Sequence, residues 1–394
     1  MPSRIKGVPL NSVITFLSFI DTNMLIPIVA LYASSLGATV GIIGILVGIY
    51  SITNFIVNIF AGRWVDRFGF KKPLIFGLTG DALAMFLYSL CKLPWHLALI
   101  RAFHGSSGGL TGPATMSATG SYARSSGKAK AMSYYGIAIA AATLIGHGAG
   151  GALVTQMGYN FLFYFGAALL CAGVVLAFFL PAGNPDANND IRKPMRAHFK
   201  DLLSLFSRGD LSVSYLAIFA QFFSFGGVVA LLPLHVTSLG MKAVHVGMLL
   251  IIFSVMFIII QFAAGSLSDK KGRLRPTASG LSLIFIALLL IPFTNSFTTL
   301  AISLAIYGTG YGILFPAISA LLIDEATSEE YGKVTGMFHA LITAGVAVGA
   351  PIIGWIAAAG NLKIGLAMTP VAIVAALILT FIRLNAKRDN YQTQ

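Results

Sequence analysis

Apolar runs, each about as long as a bilayer is thick, alternate with short polar breaks along the whole chain. They fall at 13–36, 40–62, 73–92, 94–121, 129–156 and 159–180, then at 213–239, 243–265, 276–294, 297–322, 333–357 and 362–384. At about 1.5 Å per residue, about 20 residues cross a hydrocarbon core of about 30 Å, so each run predicts one transmembrane helix. The expectation is an all-α membrane protein of twelve transmembrane helices, arranged as two six-helix bundles. Between the sixth and seventh runs lies a polar stretch, Pro181 to Asp210, with Asn184, Pro185, Asn188, Asn189, Arg192, Lys193, Arg196 and Lys200. It reads as a linker. The expected domains are therefore a bundle over 1–180, a linker over 181–210 and a bundle over 211–394.

The basic residues are distributed unevenly among the breaks. Of 26 Lys and Arg, Lys92, Lys242 and Lys363 fall in one alternate set of loops, Arg101 falls inside a run, and the remaining 22 fall in the other set. The positive-inside rule puts that second set, the linker and both termini in the cytoplasm, and an even number of spans follows independently.

Composition sharpens the same picture. Hydrophobic residues make up 57% of the chain and charged ones 10%, whereas a soluble domain carries about 25% charge. A formal charge of +13 would suggest nucleic acid in a soluble protein, but here the charge sits in loops, so lipid headgroups are its partners and nucleic acid is not expected. The first run is too long for the apolar core of a cleaved signal and reads as span one. Cys91 and Cys171 have no ligand or disulfide spacing, so neither a metal nor a cofactor is expected. No nucleophile triad, Walker loop or dinucleotide fingerprint occurs, so the chain reads as a non-enzyme driven by a gradient rather than by ATP.

The chain repeats itself. A shift of 203 residues places Ser35-Leu36-Gly37 on Ser238-Leu239-Gly240, and Gly44 on Gly247. The same register pairs Gly62 with Gly265, Asp66 with Asp269, Gly69 with Gly272, Pro73 with Pro276, Gly105 with Gly308, Pro113 with Pro316 and Gly151 with Gly354. A duplicated six-span unit implies a parallel repeat about an axis along the membrane normal, with substrate bound near the midplane.

After span two comes Gly62-Arg63-Trp64-Val65-Asp66-Arg67-Phe68-Gly69-Phe70-Lys71-Lys72, and after span eight Gly265-Ser266-Leu267-Ser268-Asp269-Lys270-Lys271-Gly272-Arg273. Both copies resemble the loop signature of the major facilitator superfamily, G-x-L-A-D-R-x-G-R-K. The resemblance spans the chain and implies cytoplasmic gating by Gly62, Asp66, Arg67, Gly69 and Lys71 in one half, and by Gly265, Asp269, Gly272 and Arg273 in the other. The register gives Arg273 a partner in Asp324 at the foot of span ten. In the first half the same two positions are Phe70 and Ser121, so the second latch is expected to carry most of the polar gating.

Within the spans, Asp21 and Asp81 lie at similar depth in one half, and Arg101 opens a run that continues His104-Gly105 and Gly108-Gly109. Burial penalises a carboxylate's charged form, so a desolvated acid can alternate between a proton and a cationic ligand. An intramembrane arginine costs at least about 2.5 kcal/mol and needs a partner or a wet cavity. Its register mate is Leu304, so the fold does not need the charge. Span five resembles the antiporter signature of the superfamily's drug-efflux branches, with His147 standing where that signature has proline. His147 can relay protons or pack as a neutral histidine. Asp21, Asp81, Arg101 and His147 are the expected proton-coupling residues. Asn54, Asn58, His104, Gln261, Phe223 and Tyr307 are the expected cavity residues.

Asp21 with Pro27, Thr79-Gly80-Asp81-Ala82, and Gly109-Leu110-Thr111-Gly112 after Arg101 most resemble the twelve-span drug:proton antiporters. That resemblance implies export of a small apolar or cationic compound in exchange for protons; the compact chain without long termini suggests a bacterial inner membrane, and a monomer is expected. Two other readings stay open. One is a carrier of a specific metabolite, sugar, siderophore or metal complex. The other is a receptor or assembly factor on the same scaffold.

Overall fold

A computed structural model of the chain describes residues 2–122, 128–181, 208–326 and 330–392. The side chains of residues 2–6, 66, 128–129, 265–271, 331–333 and 387–392 are outside that description, and most of the expected linker lies in the undescribed stretch. The secondary structure among the described residues is helical, as lipid requires: backbone groups without water must bond within their own segment.

The first half comprises α1 (Pro2–Leu25), α2 (Val29–Ser35), α3 (Val40–Phe68), α4 (Lys71–Tyr88), α5 (Pro94–Tyr122) and α6 (Lys128–Phe178). The second comprises α7 (Leu211–Ser238), α8 (Ala243–Lys271), α9 (Leu274–Leu290), a 3-10 turn (Ile291–Phe293), α10 (Phe297–Glu325), α11 (Tyr331–Ala359), α12 (Leu362–Met368) and α13 (Val371–Gln392).

These elements make twelve spans, though not always one helix to a span. The first expected span is broken: α1 and α2 meet at 47° around Pro27, which has no N–H to continue the ladder. The last span is likewise divided into α12 and α13 ahead of Pro370. Conversely, α6 holds spans five and six in one assigned helix, with Gly158 at φ 84° as the corner between its two arms. Short α4 carries Lys71, Lys72 and Asp81, and α5 is rich in Gly, Ser and Thr, so both are less apolar than α3.

The duplication is visible in the packing. Gly37 and Gly240 have φ of 85° and 79°, and Gly69 and Gly272 have φ of 72° and 76°. These left-handed turns favour glycine and fix the same connections twice. In the first half α1 packs on α6, and α4 on α5 and α6; in the second α7 packs on α11, and α9 on α10 and α13. Contacts match residue by residue. A Cβ on Gly105 would meet the carbonyl of Tyr50, and one on Gly308 the carbonyl of Phe253. One on Gly109 would stand 2.9 Å from Val57, and one on Gly312 2.9 Å from Ile260. Small residues let membrane helices approach this closely.

The chain divides into two compact units that follow the two bundles except at two segments. Thr39–Gly48, the start of α3, belongs to the second unit, and Lys242–Met248, the start of α8, to the first. In the second unit a Cβ on Gly44 would stand 3.0 Å from Gly354. In the first, one on Gly247 would stand 2.6 Å from the carbonyl of His147.

Candidate functional site

The first unit buries a cluster of ionisable side chains. Helical spacing puts Arg101, His104 and Ser107 on one face of α5, while α1 supplies Asp21, α4 supplies Asp81 and Tyr88, and α3 supplies Tyr50. Exposure is 0% at Asp21, 1% at Asp81, 0% at His104 and 5% at Arg101. Glycines set the spacing: a Cβ on Gly80 would stand 2.5 Å from the Ser107 Cβ, so α4 and α5 approach closely enough for Ser107 to donate to Asp81.

His104 is the hub. Its Nε2 lies 2.9 Å from Asp21 Oδ2 and 3.8 Å from Asp81 Oδ1, and its Nδ1 lies 3.0 Å from the Tyr88 hydroxyl. An ionised carboxylate only accepts, so with Asp21 ionised Nε2 carries a proton. Nδ1 then accepts from Tyr88 when the ring is neutral and donates to it when the ring is charged. The Tyr88 hydroxyl also accepts from Arg101, a donor-only group, which leaves the hydroxyl proton for Nδ1 of the neutral ring. Asp21 Oδ1 is buried with no hydrogen-bond partner among the described residues. Leaving such an atom unpaired costs about 1–3 kcal/mol.

The Arg101 guanidinium sits over the Tyr50 ring, 4.9 Å from its centroid. Such a contact contributes up to about 2 kcal/mol when desolvated. The same ring meets His104 edge-on at 5.1 Å, and its hydroxyl lies 3.2 Å from Thr22 Oγ1. Arg101 thus joins the cluster through the Tyr50 ring and the Tyr88 hydroxyl, which accepts a hydrogen bond from it.

The other expected residues are dispersed. His147 is buried on α6 with its carbonyl against Gly247. His104, read from the sequence as a cavity residue, belongs to the acid cluster. Tyr307 and Phe223 are 0% and 6% exposed and pack inside the second unit, so neither lines open space. Asn54 and Gln261 are half-buried and Asn58 is exposed.

Among the residues expected to gate, Arg273 Nε donates to Asp324 Oδ2 at 2.8 Å. In the first half Phe70 meets Tyr122 edge-on at 5.5 Å instead, and Lys71 Nζ donates to the carbonyls of Phe178 and Leu180 at 2.7 and 2.8 Å. Arg67 lies 5.2 Å from the Phe68 ring centroid, Gly62 has open space beside it, and the Asp66 and Asp269 side chains and Gly265 are outside the description.

Tyr88, Ser107 and the central role of His104 were missed by residue-type reasoning. A signal for them exists in the repeat. The register mates of Asp21, Asp81, His104 and Arg101 are Ser224, Ile284, Tyr307 and Leu304. There Tyr307 accepts from Gln221 Nε2 at 3.1 Å and packs on Phe253 at 4.8 Å, in an aromatic core. The same fold is thus built twice, once with the charges and once without.

Twelve spans in duplicated bundles, one bundle with a buried ionisable centre, form the architecture of a membrane transporter. The chain belongs to the Major Facilitator Superfamily, whose family model matches residues 12–338 and 214–393. It is an integral membrane transporter of small molecules, not an enzyme. Multidrug resistance protein 2 of Bacillus subtilis (strain 168) is 26% identical over 391 residues, spanning 95% of this chain and 94% of its own. Among solved structures, a mutant of the nucleoside transporter NupG superposes with a TM-score of 0.82 at 12% identity, covering 96% of this chain and 99% of its own. An inward-facing, occupied bacterial homologue of the human lysosomal transporter Spinster gives 0.79 at 14%, covering 98% and 97%. These structural likenesses establish the fold alone.

Proposed function

We propose that this protein is a proton-coupled exporter of a small apolar or cationic compound, working by alternating access. The observation that carries the reading is His104 between Asp21 and Asp81 in a fully buried site. A centre with two acids, a histidine and a nearby arginine offers several groups able to take up or release a proton, and proton antiport needs such groups. In this reading Asp21 and His104 form the proton switch, Asp81 tunes it through Ser107, and Arg101 biases it by charge. The likeness to a multidrug resistance protein supports efflux. The basic loops support cytoplasmic termini, a bacterial inner membrane is the expected location, and the working unit is a monomer with bundles over 1–180 and 211–394 joined by the linker over 181–210. Arg273–Asp324 and the Lys71 contacts serve as cytoplasmic latches.

The test uses purified protein in liposomes with an imposed pH gradient and a panel of lipophilic cations and neutral drugs. A compound that dissipates the gradient with the wild-type protein, and at least tenfold more slowly with Asp21→Asn, is the expected result. Carriage of a compound with no proton movement would replace this reading with facilitated transport of a specific solute.

A further inference from the structure

The α5 face that carries His104 and Ser107 continues as Thr111, Thr115 and Thr119, one hydroxyl every four residues, toward the end of the bundle that bears the basic loops. Ser107 is 7% exposed, Thr111 3%, Thr115 0% and Thr119 3%. Across the seam, Asn11 of α1 is 1% exposed and its Nδ2 donates to the Thr115 carbonyl at 2.9 Å and to Thr119 Oγ1 at 2.8 Å. Those partners orient the amide, so its Oδ1 is the acceptor left without a hydrogen bond, buried in the seam. From α6, Tyr135 brings its hydroxyl to Thr115. Three helices thus line one polar seam that begins at Asp81.

The ordinary reading of buried helical threonines is structural, because each hydroxyl bonds back to its own helix. These do: Thr111, Thr115 and Thr119 donate to the carbonyls of Gly108, Thr111 and Thr115 at 2.9, 2.9 and 3.0 Å. The repeat tests that reading internally. The register mates of Ser107, Thr111, Thr115, Thr119 and Tyr135 are Gly310, Leu314, Ile318, Leu322 and Phe338, and no side-chain hydroxyl survives. The helix tether itself does survive: Ser214, the mate of Asn11, donates to the Ile318 carbonyl at 3.0 Å, as Asn11 does to Thr115. The second half holds the same two helices together without the hydroxyls, so holding them together is not what the hydroxyls are for.

We infer that Ser107, Thr111, Thr115 and Thr119, with Asn11 and Tyr135, form a proton path between the buried Asp81–His104–Asp21 centre and the basic-loop face. This rests on the proton-coupled reading above and adds a route to it. The path is about 18 Å long, counting Ser107 to Thr119 at about 1.5 Å per residue. Side chains four apart on a helix are about 5–6 Å apart, too far for direct hydroxyl contact. One water spans that gap with two hydrogen bonds of about 2.8 Å each, and the bare Asn11 Oδ1 offers such a water an acceptor. Transfer moves one proton with no other bond chemistry. Each hydroxyl takes a proton on an oxygen lone pair and releases its own to the next water, and the last acceptor is a carboxylate or imidazole of the centre.

The test compares wild type, Asp21→Asn and the triple variant Thr111→Val/Thr115→Val/Thr119→Val in liposomes, with a compound shown to dissipate the gradient. Valine keeps the threonine shape, and the second half packs apolar side chains at these positions. The readouts are proton flux under an imposed gradient and compound counterflow at equal pH. The expected result for the triple variant is proton flux reduced tenfold or more with counterflow within about threefold, and the matching serine variants restoring most of the flux. Wild-type proton flux in the triple variant while Asp21→Asn is uncoupled would overturn the path and leave the centre standing. Full coupling in Asp21→Asn would overturn the centre and the path with it. If the triple variant does not fold, Thr115→Val alone is judged by the same two readouts, with a threefold loss of flux expected and an unchanged flux overturning the path.

Discussion

At the scale of single residues, His104 matters because its two nitrogens link Asp21 on α1 to Tyr88 on α4. His104→Gln keeps hydrogen-bonding atoms and removes the titration. The expected outcome is a loss of proton-driven transport of tenfold or more, with compound counterflow retained and the protein folded by circular dichroism. Imidazole chemistry is then separated from packing by His104→Leu, which also leaves Asp21 without its partner. That variant is expected to lower the detergent melting temperature as well, because one-sided loss of a buried polar partner costs about 1–3 kcal/mol. Neither acid gives the centre away by itself. Each is the one acid of its helix, and only side-chain direction shows that they meet at one imidazole.

At the scale of elements, glycine placement decides how near the helices come. A side chain on Gly105 would collide with the Tyr50 carbonyl, whereas Gly112 has its nearest neighbour, Phe19, at 4.0 Å. Gly105→Ala is therefore expected to destabilise by about 1–3 kcal/mol, and Gly112→Ala to change stability by less than about 0.5 kcal/mol. Thermal unfolding in detergent ranks the two. Span number was legible because length and hydropathy are properties of a segment, and the Arg273–Asp324 pair was legible through the repeat. Rotation of each helix about its axis was not, because a span that is apolar all round carries no amphipathic stripe to orient it. For that reason Tyr307 and Phe223, matched by register to candidate cavity positions, proved to be packed inward. The break at Pro27 was visible as a residue, but its 47° angle depends on tertiary packing.

At the scale of the whole molecule, duplication followed by divergence has put charge in one half and aromatic packing in the other, while the latch positions diverged the opposite way. Phe70 is 3% exposed against Tyr122, and Arg273 pairs with Asp324 in a partly exposed site. Copying the ionic latch into the first half with Phe70→Arg/Ser121→Asp is expected to lower the melting temperature, since it trades buried aromatic contact for an ion pair. Breaking the native pair with Asp324→Asn is expected to cost no more than about 1 kcal/mol of stability. Its larger effect is on the rate of the transport cycle, measured as counterflow, with Arg273→Asp/Asp324→Arg recovering much of the loss.

The exchange of short helix starts between the two units has a consequence for biogenesis. Gly151 packs against Ala243 and Val244, yet that segment is synthesised only after the first six spans and the linker are complete. Translation runs at about 5–20 residues per second. For several seconds, then, the newly inserted first bundle presents a bare small-residue face to lipid or to the insertion machinery. Until residues 243–248 emerge, that face is open to mispairing with other helices.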